Sequence, residues 1–168
     1  DGEGNSITLT GNTVVNNSLS LHASGSTSGD ISFNGTLSAE EDRLENLTLT
    51  GKDITFAGNV GSLDNRFKDI TIFSSGAVKA ETGPTVAERT DFCVDTLNVE
   101  QSTSFTARHI NAIAEDDTST SKDGNNNTVT ITSNTSIETE NITTTAGSAT
   151  TSAGNTGGGI NLAAEDIT

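Results

Sequence analysis

Carboxylates are the most frequent chemistry-bearing side chains here, and they are densest at Glu40-Glu41-Asp42 and at Glu115-Asp116-Asp117. Two such groups about 5 to 9.5 Å apart across a groove could hydrolyse a glycosidic bond. Sugar-cleaving grooves tend to carry aromatic rings for stacking, and this chain has no Trp or Tyr. Solvated loops are the plainer reading of both acidic runs. Calcium, a hard cation that takes six to eight oxygens, fits acidic loops better than catalysis does. Asp116 and Asp117, with Asp123-Gly124-Asn125, are the candidate ligands, and Asp1-Gly2-Glu3-Gly4-Asn5 offers a similar density of oxygens. The Gly-Gly-x-Gly-x-Asp nonapeptide of calcium-binding β-rolls and an EF-hand loop are both missing, so no cofactor is expected and calcium is the alternative to none. One Cys and two distant His argue against a zinc site.

His22 and His109 are the only histidines, each in a β-like string, and no third residue is placed by spacing to complete a Ser-His-Asp set. Both read as surface or turn-side residues. Cys93 is alone in Asp91-Phe92-Cys93-Val94, which excludes an internal disulfide and reads as a small buried hydrophobe. No catalytic residue and no enzymatic activity are expected. Six Asn-x-Ser/Thr sequons, at Asn16, Asn34, Asn46, Asn126, Asn134 and Asn141, accord with a chain rich in Asn and Thr.

The elements that would position these residues are constrained by composition. The chain has 168 residues, with 23 Asp+Glu against 8 Lys+Arg and a formal net charge of −15. A polyanion would be repelled, so nucleic acid is not an expected partner, and neither is an anionic membrane. No apolar run approaches the ~20 residues that span a bilayer, and no signal peptide opens the sequence. Only 30% of residues are hydrophobic, with Ile, Val, Leu and Phe about a fifth of the chain, and Met is absent as well. That supports a thin core.

The apolar residues recur in alternating strings. Asp30-Ile31-Ser32-Phe33-Asn34-Gly35-Thr36-Leu37 returns as Asp53-Ile54-Thr55-Phe56-Ala57-Gly58-Asn59-Val60. Asp69-Ile70-Thr71-Ile72-Phe73 reads as a looser copy, and Asp166-Ile167-Thr168 as the opening of another, which suggests a segment of a longer repeat protein. A second string is Ser18-Leu19-Ser20-Leu21 and Asn46-Leu47-Thr48-Leu49, with Ser6-Ile7-Thr8-Leu9 before them and Thr128-Val129-Thr130-Ile131 and Asn141-Ile142-Thr143 after. Alternation of Ser/Thr with Ile, Leu, Val and Phe is the signature of half-buried strands. Gly, Asn, Asp and Ser between the strings mark turns.

Two all-β arrangements accommodate this: an antiparallel β-sandwich, and a parallel β-solenoid in which each repeat is one coil. Recurrence with variable loops favours the solenoid. At ~20 residues per coil the chain would make about eight coils. Ile31, Ile54 and Ile70 would then stack in one internal row, with Phe33 and Phe56 in the next. Residues 1–168 read as one such unit, with loop excursions near 81–91 and 115–127. Residues 143 to 159 hold few large apolar side chains.

The strings SLSLHASG, DISFNGTL and NLTLTGKDITFAGNV resemble the repeats of large secreted bacterial exoproteins, the filamentous-haemagglutinin-like and autotransporter-passenger β-helices. The resemblance is clearest for residues 6 to 80 and weaker from 92 to 168. It implies a right-handed parallel β-helix and an extracellular, cell-surface rod used for adhesion or filament formation. Its partners would be further copies stacked end to end, or a host or matrix surface, with glycans as one ligand class. The resemblance carries no catalytic residues.

Overall fold

A computed structural model of the chain describes residues 4–23, 29–83, 85–113, 127–145 and 158–168. The chain winds as a parallel β-solenoid. The first coil carries β1 (Ile7–Leu9), β2 (Thr13–Val15) and β3 (Leu19–His22), and the second β4 (Ile31–Phe33), β5 (Leu37–Ala39) and β6 (Asn46–Gly51). The third has β7 (Ile54–Phe56) and β8 (Phe67–Ser74), and the fourth β9 (Ala77–Ala80) and β10 (Phe92–Gln101). The fifth has β11 (Ser104–Thr106), β12 (His109–Ile113) and β13 (Val129–Thr132). The sixth has β14 (Ser136–Glu138), β15 (Asn141–Thr145) and β16 (Ile160–Ala163), and β17 (Asp166–Ile167) follows.

One sheet is the ladder β1-β4-β7-β9-β11-β14-β17, and a second runs through β3-β6-β8-β10 before dividing between β12-β15 and β13-β16. Each strand pairing between these elements is parallel, which excludes the antiparallel sandwich for the described residues. The first ladder pairs Ile7 with Ile31, Ile31 with Ile54, Ile54 with Val78, Val78 with Phe105, Phe105 with Ile137 and Ile137 with Ile167. The successive differences in residue number are 24, 23, 24, 27, 32 and 30. Six steps of this length replace the about eight coils expected, because a coil takes more residues than ~20 once its corner loops are included. At ~4.8 Å per step the described rod is about 30 Å long.

Inward side chains make continuous rows. Phe33 pairs with Phe56 as expected, with ring centroids 5.3 Å apart and planes only 4° apart. Phe92 meets Phe56 edge-on at 5.4 Å, and Phe105 lies 6.1 Å further on. Ile70 does not join Ile31 and Ile54. It pairs with Leu47 and Leu97 in the second sheet, and Val78 takes the expected place above Ile54. Conversely, Ile7-Thr8-Leu9 lies in the first sheet rather than beside Leu19-Ser20-Leu21. Asp166-Ile167 does return to the first ladder.

A polar residue just before several of the strands explains why the strings look alike. In the first sheet, the Ser6 hydroxyl accepts from the Asp30 amide, Asp30 Oδ1 from the Asp53 amide, and Asp53 Oδ1 from the Ala77 amide. A second corner repeats the device: Asn12 Oδ1 accepts from the Thr36 amide, Asn59 Oδ1 from Asp91 and Asp91 Oδ1 from His109. At a third corner, Ser18 Oγ accepts from the Asn46 amide. Each bond satisfies a backbone donor at a bend, where the sheet ladder cannot, and ties one coil to the next. Asn34-Gly35 marks a corner here, not a hairpin.

Candidate functional site

Asp116, Asp117 and Asp123 lie outside the described residues, as do Asp1 and Glu3. Among the described residues no group of three or more His, Cys, Asp and Glu is disposed to hold a metal. Glu40 and Glu41 are exposed, whereas Asp42 is turned inward to Arg66. Cys93 is buried, as expected of a small hydrophobe, and burial pushes its thiol pKa up, away from a reactive thiolate.

Two clamps of opposite charge cross the coils. Arg66 grips Asp42 with Nε at 3.0 Å and Nη2 at 2.8 Å, donates its own amide to the same carboxylate at 2.9 Å, and sends Nη1 to the Ile113 carbonyl at 3.0 Å. Burial alone would raise the Asp42 pKa, but the Arg66 hydrogen bonds and charge, helped by Arg43, outweigh it and hold the carboxyl below its usual range. The second clamp is a column. Arg108 makes a fork on Asp91 at 2.9 and 2.6 Å, and the bonds from Arg108 hold the Asp91 pKa down. His109 sits between Asp91 and Glu140, its Nδ1 at 3.3 Å from one carboxylate and Nε2 at 3.0 Å from the other. Nearby coils are joined again by Arg89 on Glu138 at 2.5 Å. These charges are engaged with one another across adjacent coils, and their chemistry is that of fasteners.

The open surface lies elsewhere. Residues His22, Thr50, Phe73 and Gln101 occupy one row across four coils of the second sheet. Thr50, Phe73 and Gln101 of that row, with Gly51, Ser74 and Ser75 of the adjoining corner, line a shallow cleft of about 130 Å³. Five of the six Phe are 0–1% exposed; Phe73 is 37% exposed. It is outward because Ile70 and Ile72 take the inward phase of β8. A β-bulge in β10 decides its neighbour: Val99 pairs with Ile72 and then Gln101, not Glu100, pairs with Phe73. The skipped Glu100 carboxylate accepts a bond from the Asn98 side-chain Nδ2 at 3.1 Å. Below the cleft, buried Ser74 donates its hydroxyl to the Lys52 carbonyl. The sequence signal for this site is the parity of Phe73 in Asp69-Ile70-Thr71-Ile72-Phe73, out of phase with Ile72 in an alternating strand.

Comparison of the chain with protein-family models, with curated proteins and with solved structures gave no match.

Proposed function

We propose that this chain is part of an extracellular structural or adhesive rod, displayed at a cell surface, and that its role carries no catalytic step. The observation that supports this most is the continuity of the stack. Parallel ladders pass through every coil, and side chains at three corners and two ionic clamps bind each coil to the next. Such a body is stiff along its axis, because bending it opens hydrogen bonds in several ladders together. One outward row is wholly polar, formed by Ser20, Thr48, Thr71, Asn98, Thr130 and Asn161, although Val14, Leu44, Leu63 and Phe73 are apolar side chains exposed elsewhere. A polar, acidic exterior limits indiscriminate strand pairing. The partners are a host or matrix surface met along the side of the rod, and further coils met at its terminal rungs. The resemblance of its strings to exoprotein repeats supports the same location.

The test is labelling of intact cells that make the protein with a membrane-impermeant amine reagent. Lys52 and Lys79 are half exposed and would react. Modification of both in unbroken cells is expected. Modification only after lysis would overturn the location.

A further inference from the structure

We propose that the cleft around Phe73 is a binding site for a neutral glycan, seated along the His22–Thr50–Phe73–Gln101 row. The inference rests on the reading of the chain as an adhesive rod and gives that rod a ligand class.

Phe73 is an aromatic ring in the outward phase of a strand. This chain has six aromatic side chains and encloses five of them. The sixth lies in the one row that has an imidazole, a hydroxyl and an amide as its other members. A sugar ring presents an apolar C–H face and a rim of hydroxyls. Phe73 supplies the flat apolar partner, while Thr50 in the preceding coil and Gln101 in the following coil supply hydrogen-bonding groups on both sides. His22 extends the polar row by one further coil. From His22 to Gln101 is three steps, about 14 Å, which suits a short oligosaccharide better than a single sugar.

Charge selects the class. The molecule carries −15, yet none of the residues lining the cleft is Asp, Glu, Lys or Arg. The bulge sets the Gln101 amide against Phe73 where regular pairing would set Glu100, and the Glu100 carboxylate, exposed beside it, is engaged by the Asn98 side chain. An acidic glycan would meet the repulsion of the whole molecule with no local cation in the lining to offset it. A protein partner fits less well. The strands that carry the cleft, β6, β8 and β10, are each paired on both sides, so an added strand could join only at β3 beyond it, and one ring in a shallow cleft falls short of the apolar centre that protein interfaces need.

Isothermal titration calorimetry of the purified chain against cellohexaose, chitohexaose and maltohexaose tests this, with a heparin hexasaccharide as the acidic probe. Binding of at least one neutral oligosaccharide with a Kd of about 1 mM or tighter is expected, with none for heparin. Phe73→Ala should weaken that binding about tenfold or more while the thermal melt stays in place, and Phe73→Trp should retain it. Gln101→Glu should weaken it as well. Failure of all three neutral probes, equal affinity of Phe73→Ala, or equal affinity for heparin would overturn the site. These outcomes do not depend on where the protein is displayed, so failure of the surface-labelling experiment and failure of this one are read separately.

Discussion

Arg66 and Arg108 each hold a carboxylate from another coil or corner with two nitrogens, and the acid behaviour of the molecule follows from those two forks. Asp42 and Asp91 both have folded pKa values below the ordinary carboxylate value. A depressed carboxylate contributes stability that is fully present above its unfolded pKa, near 3.9, and is lost as the pH falls through its folded value. Stability in urea at these two sites should therefore be level from about pH 7 to about pH 5 and decline below about pH 4. Asp42→Asn and Asp91→Asn should each remove part of that acid decline while lowering stability at neutral pH. An unchanged acid profile in both variants would contradict the assignment. Arg66→Ala should cost about 2–3 kcal/mol, since it strips a part-buried carboxylate of its fork and the Ile113 carbonyl of its donor. Chemical denaturation measures that loss, and a cost near zero would count the clamp as decoration.

Glycine governs the close approach of coils at the corner after the first-sheet strand. A Cβ at Gly58 would lie 2.7 Å from the Gly35 carbonyl carbon and oxygen, and one at Gly35 would lie 2.5 Å from those of Gly11. Because the obstacles are backbone, they cannot swing aside. Gly58→Ala should therefore destabilise by about 1–3 kcal/mol, although alanine is otherwise the mildest replacement. Asp53→Ala should cost about 1 kcal/mol through the lost acceptor for the Ala77 amide, and Asp53→Asn, which keeps an oxygen there, should cost less. Thermal melts of the three variants rank these effects, and an Asn variant no better than Ala would remove the corner bond from the account. These corners also show what was legible in the strings. Ile31 with Ile54 and Phe33 with Phe56 were readable because both copies share the Asp before the strand and the Gly after it. Ile70 falls in the other sheet because Asp69 lies inside β8, paired with Asn46 and Thr96, whereas Asp30 and Asp53 stand before their strands, so Asp-Ile-Thr alone does not say which sheet a copy joins. The interval says which: Ile54 to Ile70 is 16 residues, short of the 23 and 24 that separate neighbours in the first ladder. Ser6-Ile7-Thr8-Leu9 is ambiguous for the converse reason: Ile7-Thr8-Leu9-Thr10-Gly11 has the same pattern as Leu47-Thr48-Leu49-Thr50-Gly51 of the second sheet, and it is the 24 residues from Ile7 to Ile31 that place it in the first. The clamps were not legible, because Asp42 with Arg66 and Asp91 with Arg108 meet only once the coil length is known.

At the scale of the whole molecule, charge and stacking oppose one another. A net charge of −15 on a rod about 30 Å long repels itself, and ladders and apolar rows offset that repulsion. Screening should relieve it: raising NaCl from about 20 mM to about 500 mM should raise Tm by about 2–5 °C. A fall in Tm over that range would mean that the ionic clamps outweigh the general repulsion. The central claim concerns where this rod stands and what shape it has there. Immunogold electron microscopy of intact cells that make the protein, with antibody raised against this chain, tests both at once. The account predicts gold on thin rods projecting from the surface of unbroken cells. Gold confined to the interior of sectioned cells, with none on unbroken ones, would contradict it.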